Sequence, residues 1–340
     1  MPMKTRIQDI AKTAGCSLAT VSSILGGGGT SARYSPATRK KVLTIAEELN
    51  YKQMAAHNFA FVYCTGAPRK GRGNWMSGIA PMLESAQEEA QAVDKILSYF
   101  CFSTRQMDQT FRAGKVPPIF RRRKIDGLIL AGRVDEEVIE YMSETRLPFV
   151  LMNVSDAHRF AEDSVCFDEI ATGVEATRYL LGRGHRRVLN ISVRWNLEHY
   201  SDPMRRKGYE MAMQEAGLAS ETIYLVEEEY GRLREELETI LARPERPTAM
   251  VVHFEWLAVF CHRLIQELGL SRSAVEVISP AWSAKLVLEY LGIPYVELPA
   301  EEMGKLGFNM LRRKVETGES SPTISLRGKV RVPDEKYFGF

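Results

Sequence analysis

The spacing of apolar residues changes once along this 340-residue chain, and the change demands two kinds of fold in one polypeptide. As far as Leu49 apolar residues recur only at helical spacing. From Phe59 onward strand-like runs alternate with amphipathic helices. The runs are Phe59 to Cys64, Ile96 to Phe102, Gly127 to Leu130, Phe149 to Met152, Val188 to Ser192, Tyr224 to Val226, Met250 to His253 and Val275 to Ile278. Between them the helical pattern is clearest over Met76 to Ala92, Glu136 to Glu144, Ala171 to Leu181, Pro203 to Ala216, Arg232 to Ala242 and Leu257 to Leu268. Such alternation implies parallel sheets flanked by helices, and about 280 residues exceed one small core, so two similar lobes are expected.

Before that change lie three short helices. Ile7, Ile10, Ala11 and Ala14 form the buried stripe of the first, Gly15 stops it, and Ser17 is placed to cap a second whose inward face is read as Leu18, Val21 and Leu25. Ser35 as cap and Pro36 in the first turn open a third, with Val42, Ile45, Ala46 and Leu49 turned inward. A helix, a tight turn and a short helix is the pattern of a major-groove reader.

Charge is concentrated in the same end. Residues 1–58 hold Lys4, Arg6, Lys12, Arg33, Arg39, Lys40, Lys41 and Lys52 against Asp9, Glu47 and Glu48, a balance of +5, while the whole chain is +2, which leaves −3 for the rest. A solvated basic surface would look the same by charge alone. With the helix-turn-helix pattern beside it, the phosphates of double-stranded DNA become the natural partner.

The run from Ile7 to Leu25 resembles, nearly position for position, the opening signature of the lactose-repressor (LacI/GalR) family of bacterial transcription regulators. Ser35, Thr38, Arg39 and Val42, then Glu47 to Tyr51, continue the likeness. Further landmarks extend it along nearly the whole chain: Gly184-His185-Arg186-Arg187-Val188, Arg205, Gly208-Tyr209, Ala216-Gly217 and Glu302-Met303-Gly304. The resemblance implies an N-terminal all-α helix-turn-helix DNA-binding domain and a C-terminal α/β, periplasmic-binding-protein-like core of two parallel-sheet lobes. It places chain crossings between the lobes near residues 165, 297 and 320. The expected boundaries are a head over 1–51, a short linker over 52–58, a two-lobed effector-binding and dimerisation domain over 59–333 and a tail over 334–340.

By the same resemblance Leu18, Ala19 and Ser23 face base edges, and Ser17, Thr20 and Ser22 lie near phosphates. Thr5, Tyr34, Arg39, Asn50 and Tyr51 complete the DNA-contacting set. Departures from the family pattern are informative here. Cys16 replaces a valine as a small buried hydrophobe, and Ser23 stands where the family usually has arginine, removing a favoured guanine reader. Leu18 and Ala19 offer only apolar contact, for example to a thymine methyl, so an operator unlike the usual family site is expected. Gly26-Gly27-Gly28-Gly29 has no following Gly-Lys-Ser/Thr and no preceding strand, so it reads as a flexible loop and not a phosphate cradle. The family's hinge helix, which wedges a leucine into the minor groove, is replaced by Lys52 to Asn58; the wedge position falls on Ala60. Direct tethering without a wedge is the preferred reading, with Met54 as the poorer alternative.

The clamp implied by the resemblance holds a small-molecule effector, with carbohydrate among the candidates. Trp75 and Met76 fall at the family's ligand-facing aromatic segment, where a tryptophan stacks on ligand or simply packs. Arg205 matches an arginine that reaches ligand hydroxyls or carboxylates; the bland alternative is a surface charge beside Arg206 and Lys207. Asp168 either accepts from hydroxyls or caps the following helix. His253-Phe254-Glu255 and Ser279-Pro280-Ala281-Trp282 alter two pocket segments: Glu255 keeps an acid one methylene longer, while Ala281 and Trp282 lose the acidic pair that holds ring hydroxyls. The pocket is therefore more aromatic. It takes a planar or apolar-faced ligand, or a sugar gripped by stacking, unless Trp282 fills the cleft and leaves a vestigial clamp on a ligand-independent DNA-binding protein.

Hydrophobic content of 45% suffices for packed cores, and no apolar run approaches the roughly 18 residues of a membrane span. With no signal peptide at the start, a cytoplasmic protein with no membrane partner is expected. Cys16, Cys64, Cys101, Cys166 and Cys261 are odd in number and widely spaced, and His57, His158, His185, His199, His253 and His262 show no ligand spacing, so neither disulfides nor metal are anticipated. HExxH, GxSxG, Walker and complete GxGxxG motifs are absent, Gly71-Arg72-Gly73 lacking the third glycine; no enzyme and no cofactor are expected. One helix-turn-helix reads few base pairs, so a homodimeric repressor on a near-palindromic operator is the expected assembly, its DNA affinity modulated by the effector.

Overall fold

The computed structural model describes residues 7–25, 34–49, 58–65, 76–103, 125–134, 136–145, 147–154, 162–194, 200–226 and 229–334. By contacts the chain divides into two units, Met1–His57 and Asn58–Phe340.

In the first unit α1 (Ile7–Ala14), α2 (Leu18–Leu25) and α3 (Pro36–Glu48) enclose one core. Gly15, at φ +62°, makes the turn that ends α1, a backbone state other residues reach only at a cost. The caps are those the sequence signals: Ser17 Oγ accepts the Thr20 N–H at 3.1 Å and Ser35 Oγ accepts the Thr38 N–H at 3.1 Å. Ile10, Ala11, Ala14, Val21, Ile24, Leu25, Val42, Ile45 and Ala46 are buried together, with Cys16, Tyr34 and Leu49 packed against them. One expectation is corrected: Leu18 is not on the inward face of α2 but 50% exposed, and Ile24 takes the inward place. Helical spacing permits 18, 21 and 25 on one side, but α1 and α3 meet α2 along the Val21, Ile24 and Leu25 stripe, which leaves its first turn outside.

The second unit holds two six-stranded sheets. The first runs β11 (Ile324–Leu326), β5 (Ser164–Phe167), β4 (Phe149–Met152), β3 (Gly127–Gly132), β1 (Asn58–Thr65), β2 (Ile96–Ser103). The other runs β12 (Lys329–Arg331), β10 (Tyr295–Glu297), β9 (Glu276–Ala281), β8 (Ala249–Val252), β6 (Val188–Arg194), β7 (Glu221–Val226). The pairs are parallel, except that β10 and β12 are antiparallel. Helices cover both faces. In the first lobe α4 (Met76–Ala92) and α11 (Ala300–Thr317) pack on one side and α5 (Glu136–Thr145) on the other. In the second, α6 (Glu169–Gly182) and α7 (Ser201–Glu215) cover one face, and α8 (Tyr230–Leu241), α9 (Glu255–Glu267) and the short α10 (Lys285–Tyr290) cover the other. Since β5 pairs in the first sheet and α6 packs in the second lobe, the chain crosses at residue 168; it returns between β10 and α11 and crosses again between β11 and β12.

β1 opens at Asn58, whose N–H donates to Asp126 Oδ2 at 2.8 Å. Ala60, the expected wedge position, lies inside this strand fully buried, so it is not available for insertion into DNA. Met54 and the rest of 52–57, the glycine run 26–29, and tail residues 335–340 lie outside the described residues.

Candidate functional sites: a helix-turn-helix surface and an interlobe cleft

On the head, Val21, Ile24 and Leu25 bind α2 to the core, so the remaining positions form its outer face. Ser17, Leu18, Ala19 and Ser22 are exposed and Thr20 and Ser23 half-buried. The Ser17 and Thr20 hydroxyls are 2.8 Å apart and serve the cap. Arg39 is exposed on α3, and Tyr34 is half-buried against the core. Thr5, Asn50 and Tyr51 lie outside the described residues.

In the second unit, Arg205, Glu255 and Trp282, three of the residues singled out for an effector, lie together where the lobes meet. Arg205, on the first turns of α7, is 1% exposed and not a surface charge. Its Nε donates to Glu169 Oε2 at 2.6 Å, one Nη to Glu169 Oε1 at 2.9 Å, and the other to the His253 carbonyl at 2.6 Å. The guanidinium carbon lies 5.6 Å from the ring centres of both Phe254 and Trp282. Close helix packing makes this approach possible: a β-carbon at Gly173 would fall on the Arg205 carbonyl, and one at Gly208 on the Ile170 carbonyl.

Trp282 comes from the second lobe and packs against the core of the first, 6.4 Å from the Phe167 ring. Glu255 holds it there. One carboxylate oxygen accepts the N–H groups of Trp282, Ser283 and Ala284 at 2.7, 3.0 and 3.1 Å, and the other accepts the Ser283 hydroxyl at 3.2 Å. Asp168 caps α6 through the Ala171 N–H at 2.9 Å and pairs with Arg327 at 3.3 Å. Trp75 and the Met76 side chain lie outside the described residues.

Behind Arg205 is a polar cluster that sequence patterns did not reveal. Asn190 and Ser192 occupy alternate positions of β6 on the side facing α7, where strand alternation would put apolar residues. They are satisfied by Asp202 and His253: Ser192 Oγ donates to Asp202, His253 Nδ1 lies 2.8 Å from Asp202 Oδ1, and His253 Nε2 lies 2.7 Å from Asn190 Oδ1. Burial pushes the Asp202 pKa up, but attraction to His253 and hydrogen bonds from His253, Ser192 and the Val193 N–H outweigh it, so the group sits below the usual carboxylate value. Serine, histidine and aspartate stand together here without the order of a hydrolytic triad. The hydroxyl donates to the acid and both ring nitrogens face other partners, so no base is presented to Ser192. Glu169, Asp202 and Asn190 were missed because their roles come from tertiary burial, and no spacing in the chain announces them. The one usable signal was Arg205 itself, since a buried guanidinium requires an acid nearby.

The remaining landmarks are structural. His185 bridges Thr248 Oγ1 and Glu276 Oε2, each at 3.0 Å, and Glu276 also accepts from Arg183 and Tyr179. Gly304 lets α11 approach the Met82 carbonyl and Ser85 on α4. All five cysteines are free thiols. Among the described residues no group of His, Cys, Asp or Glu is placed to hold a metal ion, and no helix is long and apolar enough to cross a membrane.

A helix-turn-helix head and a two-lobed, periplasmic-binding-protein-like clamp thus occur in one chain, the combination of a DNA-binding regulator with a ligand-binding type of fold. Residues 6–53 match the family described as bacterial regulatory proteins, lacI family, and residues 114–327 match periplasmic binding proteins and sugar binding domain of LacI family. The chain belongs to the LacI family of bacterial transcription regulators. It is similar to catabolite control protein A of Priestia megaterium, with 26% identity over 79% of this chain and 80% of that one. Among solved structures it resembles the Lac repressor dimer bound to operator and the anti-inducer ONPF, with TM-score 0.65 and 15% identity over 99% and 100% of the two chains. It also resembles the transcriptional regulator CelR–cellobiose complex, with TM-score 0.63 and 19% identity over 96% and 98%.

Proposed function

We propose that the protein is a cytoplasmic transcriptional repressor, without catalytic activity, that binds a near-palindromic operator as a homodimer and is modulated by a small molecule held between its lobes. The observation that carries this reading is the outer face of α2, free of core duties and set in a segment of net charge +5. Phosphate contacts would give affinity, and the exposed side chains of α2 the sequence preference. With Ala60 buried in β1, preference arises from the major groove and half-site spacing. A second copy would cover the apolar side chains that α10 leaves exposed, Leu286, Val287 and Tyr290.

For the effector, the support is the convergence of Arg205, Phe254 and Trp282 at the junction of the lobes, and the matched description names sugars as a ligand class. An aromatic face presented to a ring suits a carbohydrate gripped by stacking. A second reading has its own support. Arg205 is paired with Glu169, Glu255 with the 282–284 backbone, Asp168 with a helix N-terminus and Trp282 with Phe167, so each already has a partner within the protein. That favours ligand-independent DNA binding. Selecting bound sequences from random duplex DNA with the purified protein, with and without a panel of sugars, separates the two. An enriched inverted repeat whose retention changes with one sugar is expected. No retarded complex at low ionic strength with any duplex would overturn the DNA-binding reading, and enrichment indifferent to every sugar would favour the second.

A further inference from the structure

The α2 sequence, Leu18-Ala19-Thr20-Val21-Ser22-Ser23-Ile24-Leu25, contains no charged side chain and no amide. Bidentate recognition of guanine requires an arginine or lysine and that of adenine an asparagine or glutamine; α2 has none of the four. Ser17 and Thr20 are committed to the cap and to each other. What the outer face presents is Leu18, half of its surface in solvent, exposed Ala19, and the hydroxyls of Ser22 and Ser23.

Each group has a definite reading power. A hydroxyl donates and accepts, so it cannot separate the O4 acceptor of thymine from the N4 donor of cytosine. An apolar side chain in the major groove finds a single apolar feature on the base edges, the methyl group at pyrimidine C5. Leu18 stands in the first turn of α2, the end of a recognition helix that meets base edges. Its core contacts were given to Val21, Ile24 and Leu25, so its side chain is available for contact.

We propose that α2 reads pyrimidine 5-methyl groups, so that thymine and 5-methylcytosine are accepted under Leu18 and Ala19 while uracil and cytosine are penalised. The proposal rests on the DNA-binding reading and deepens it: cytosine methylation within a half-site would create a binding determinant.

The experiment uses the full-length protein and the duplex enriched from random DNA, at one fixed salt concentration. Each thymine is replaced in turn by deoxyuridine, which deletes the methyl and keeps every hydrogen-bonding group. Burying one methyl is worth about 0.8 kcal/mol, so affinity should fall about fourfold per contacted methyl and roughly fifteenfold when both half-sites are changed. At the same positions a pair containing 5-methylcytosine should bind about fourfold tighter than its cytosine counterpart. In Leu18→Ala the thymine-to-uracil ratio should fall toward one at the positions under Leu18 and stay at those under Ala19, with helical content unchanged because Leu18 does not hold the core. Equal wild-type affinity for thymine and uracil duplexes overturns the proposal. So does a ratio that persists undiminished at every thymine in Leu18→Ala, since none of the effect would then come from the Leu18 side chain. Absence of a retarded complex with any duplex sinks the DNA-binding reading itself, a different result from an enriched site indifferent to methyl groups.

Discussion

Two buried or half-buried acids in the second lobe set how the protein responds to substitution and to pH. Asp202 has lost most of its hydration and is held by His253, Ser192 and the Val193 N–H. Asp202→Ala removes the acceptor of the His253 ring nitrogen, the Ser192 hydroxyl and the Val193 N–H together. The expected loss is about 3–5 kcal/mol of unfolding free energy, read by urea denaturation, because breaking a buried pair strands the other member. Glu276 shows the pH dependence. Burial raises its pKa, but hydrogen bonds from Arg183, His185 and Tyr179, with the Arg183 charge, hold it below its ordinary value of 4.5. A carboxylate depressed in the folded state stabilises fully above its unfolded pKa and loses that contribution as pH falls through the folded one. Thermal stability of the wild type should therefore fall below pH 4.5, and Glu276→Gln should be less stable at neutral pH with a flatter acid limb. Parallel acid limbs in the two proteins would contradict this.

Among the secondary-structure elements, the α6–α7 pair is the most exacting. These helices approach so closely that Gly173 and Gly208 face backbone atoms of the partner, and the approach is what seats Arg205 between Phe254 and Trp282. Gly208→Ala must push α7 away from the Ile170 carbonyl, so it should cost about 1–3 kcal/mol as overpacking does. Because the shift displaces Arg205, tryptophan fluorescence should change with it. An unaltered spectrum at wild-type stability would show that the helices can slide apart freely. Most of the longer elements were readable from apolar spacing, α4 to the residue, since length and periodicity both reported on them, and the four-residue β4 was readable as an unbroken apolar run. The strands β10, β11 and β12 were not, because three residues carry too little periodicity to count. Helix α11 was marked only by its Glu302-Met303-Gly304 landmark, although it is the core helix that returns the chain to the first lobe. Leu18 shows the limit of spacing most clearly. A stripe at 18, 21 and 25 is good helical geometry, but which residues are covered depends on where neighbouring helices end, and that is a tertiary fact.

For the protein as a whole, described side chains tie the two lobes together. Trp282 crosses from the second lobe onto the core of the first, while Tyr200, just before α7, is buried with first-lobe residues and donates to Asn153 Oδ1 at 2.6 Å. A coupling of about 1–3 kcal/mol, or roughly 5- to 150-fold in affinity, is ordinary for allosteric proteins, and loss of one indole contact is of that order. Trp282→Ala should therefore loosen the lobes, visible as a larger radius of gyration by small-angle scattering, and change operator affinity within that range. The sugar panel gives the result its meaning. If the wild type responds to a sugar and Trp282→Ala no longer does, the indole is the surface on which the effector stacks. If the wild type ignores every sugar while the substitution alone shifts operator affinity, Trp282 is an internal occupant of the cleft that fixes the regulator in one state. Unchanged scattering together with unchanged operator binding would show that Tyr200 and the three chain crossings already determine the lobe arrangement, and that the indole contributes packing alone.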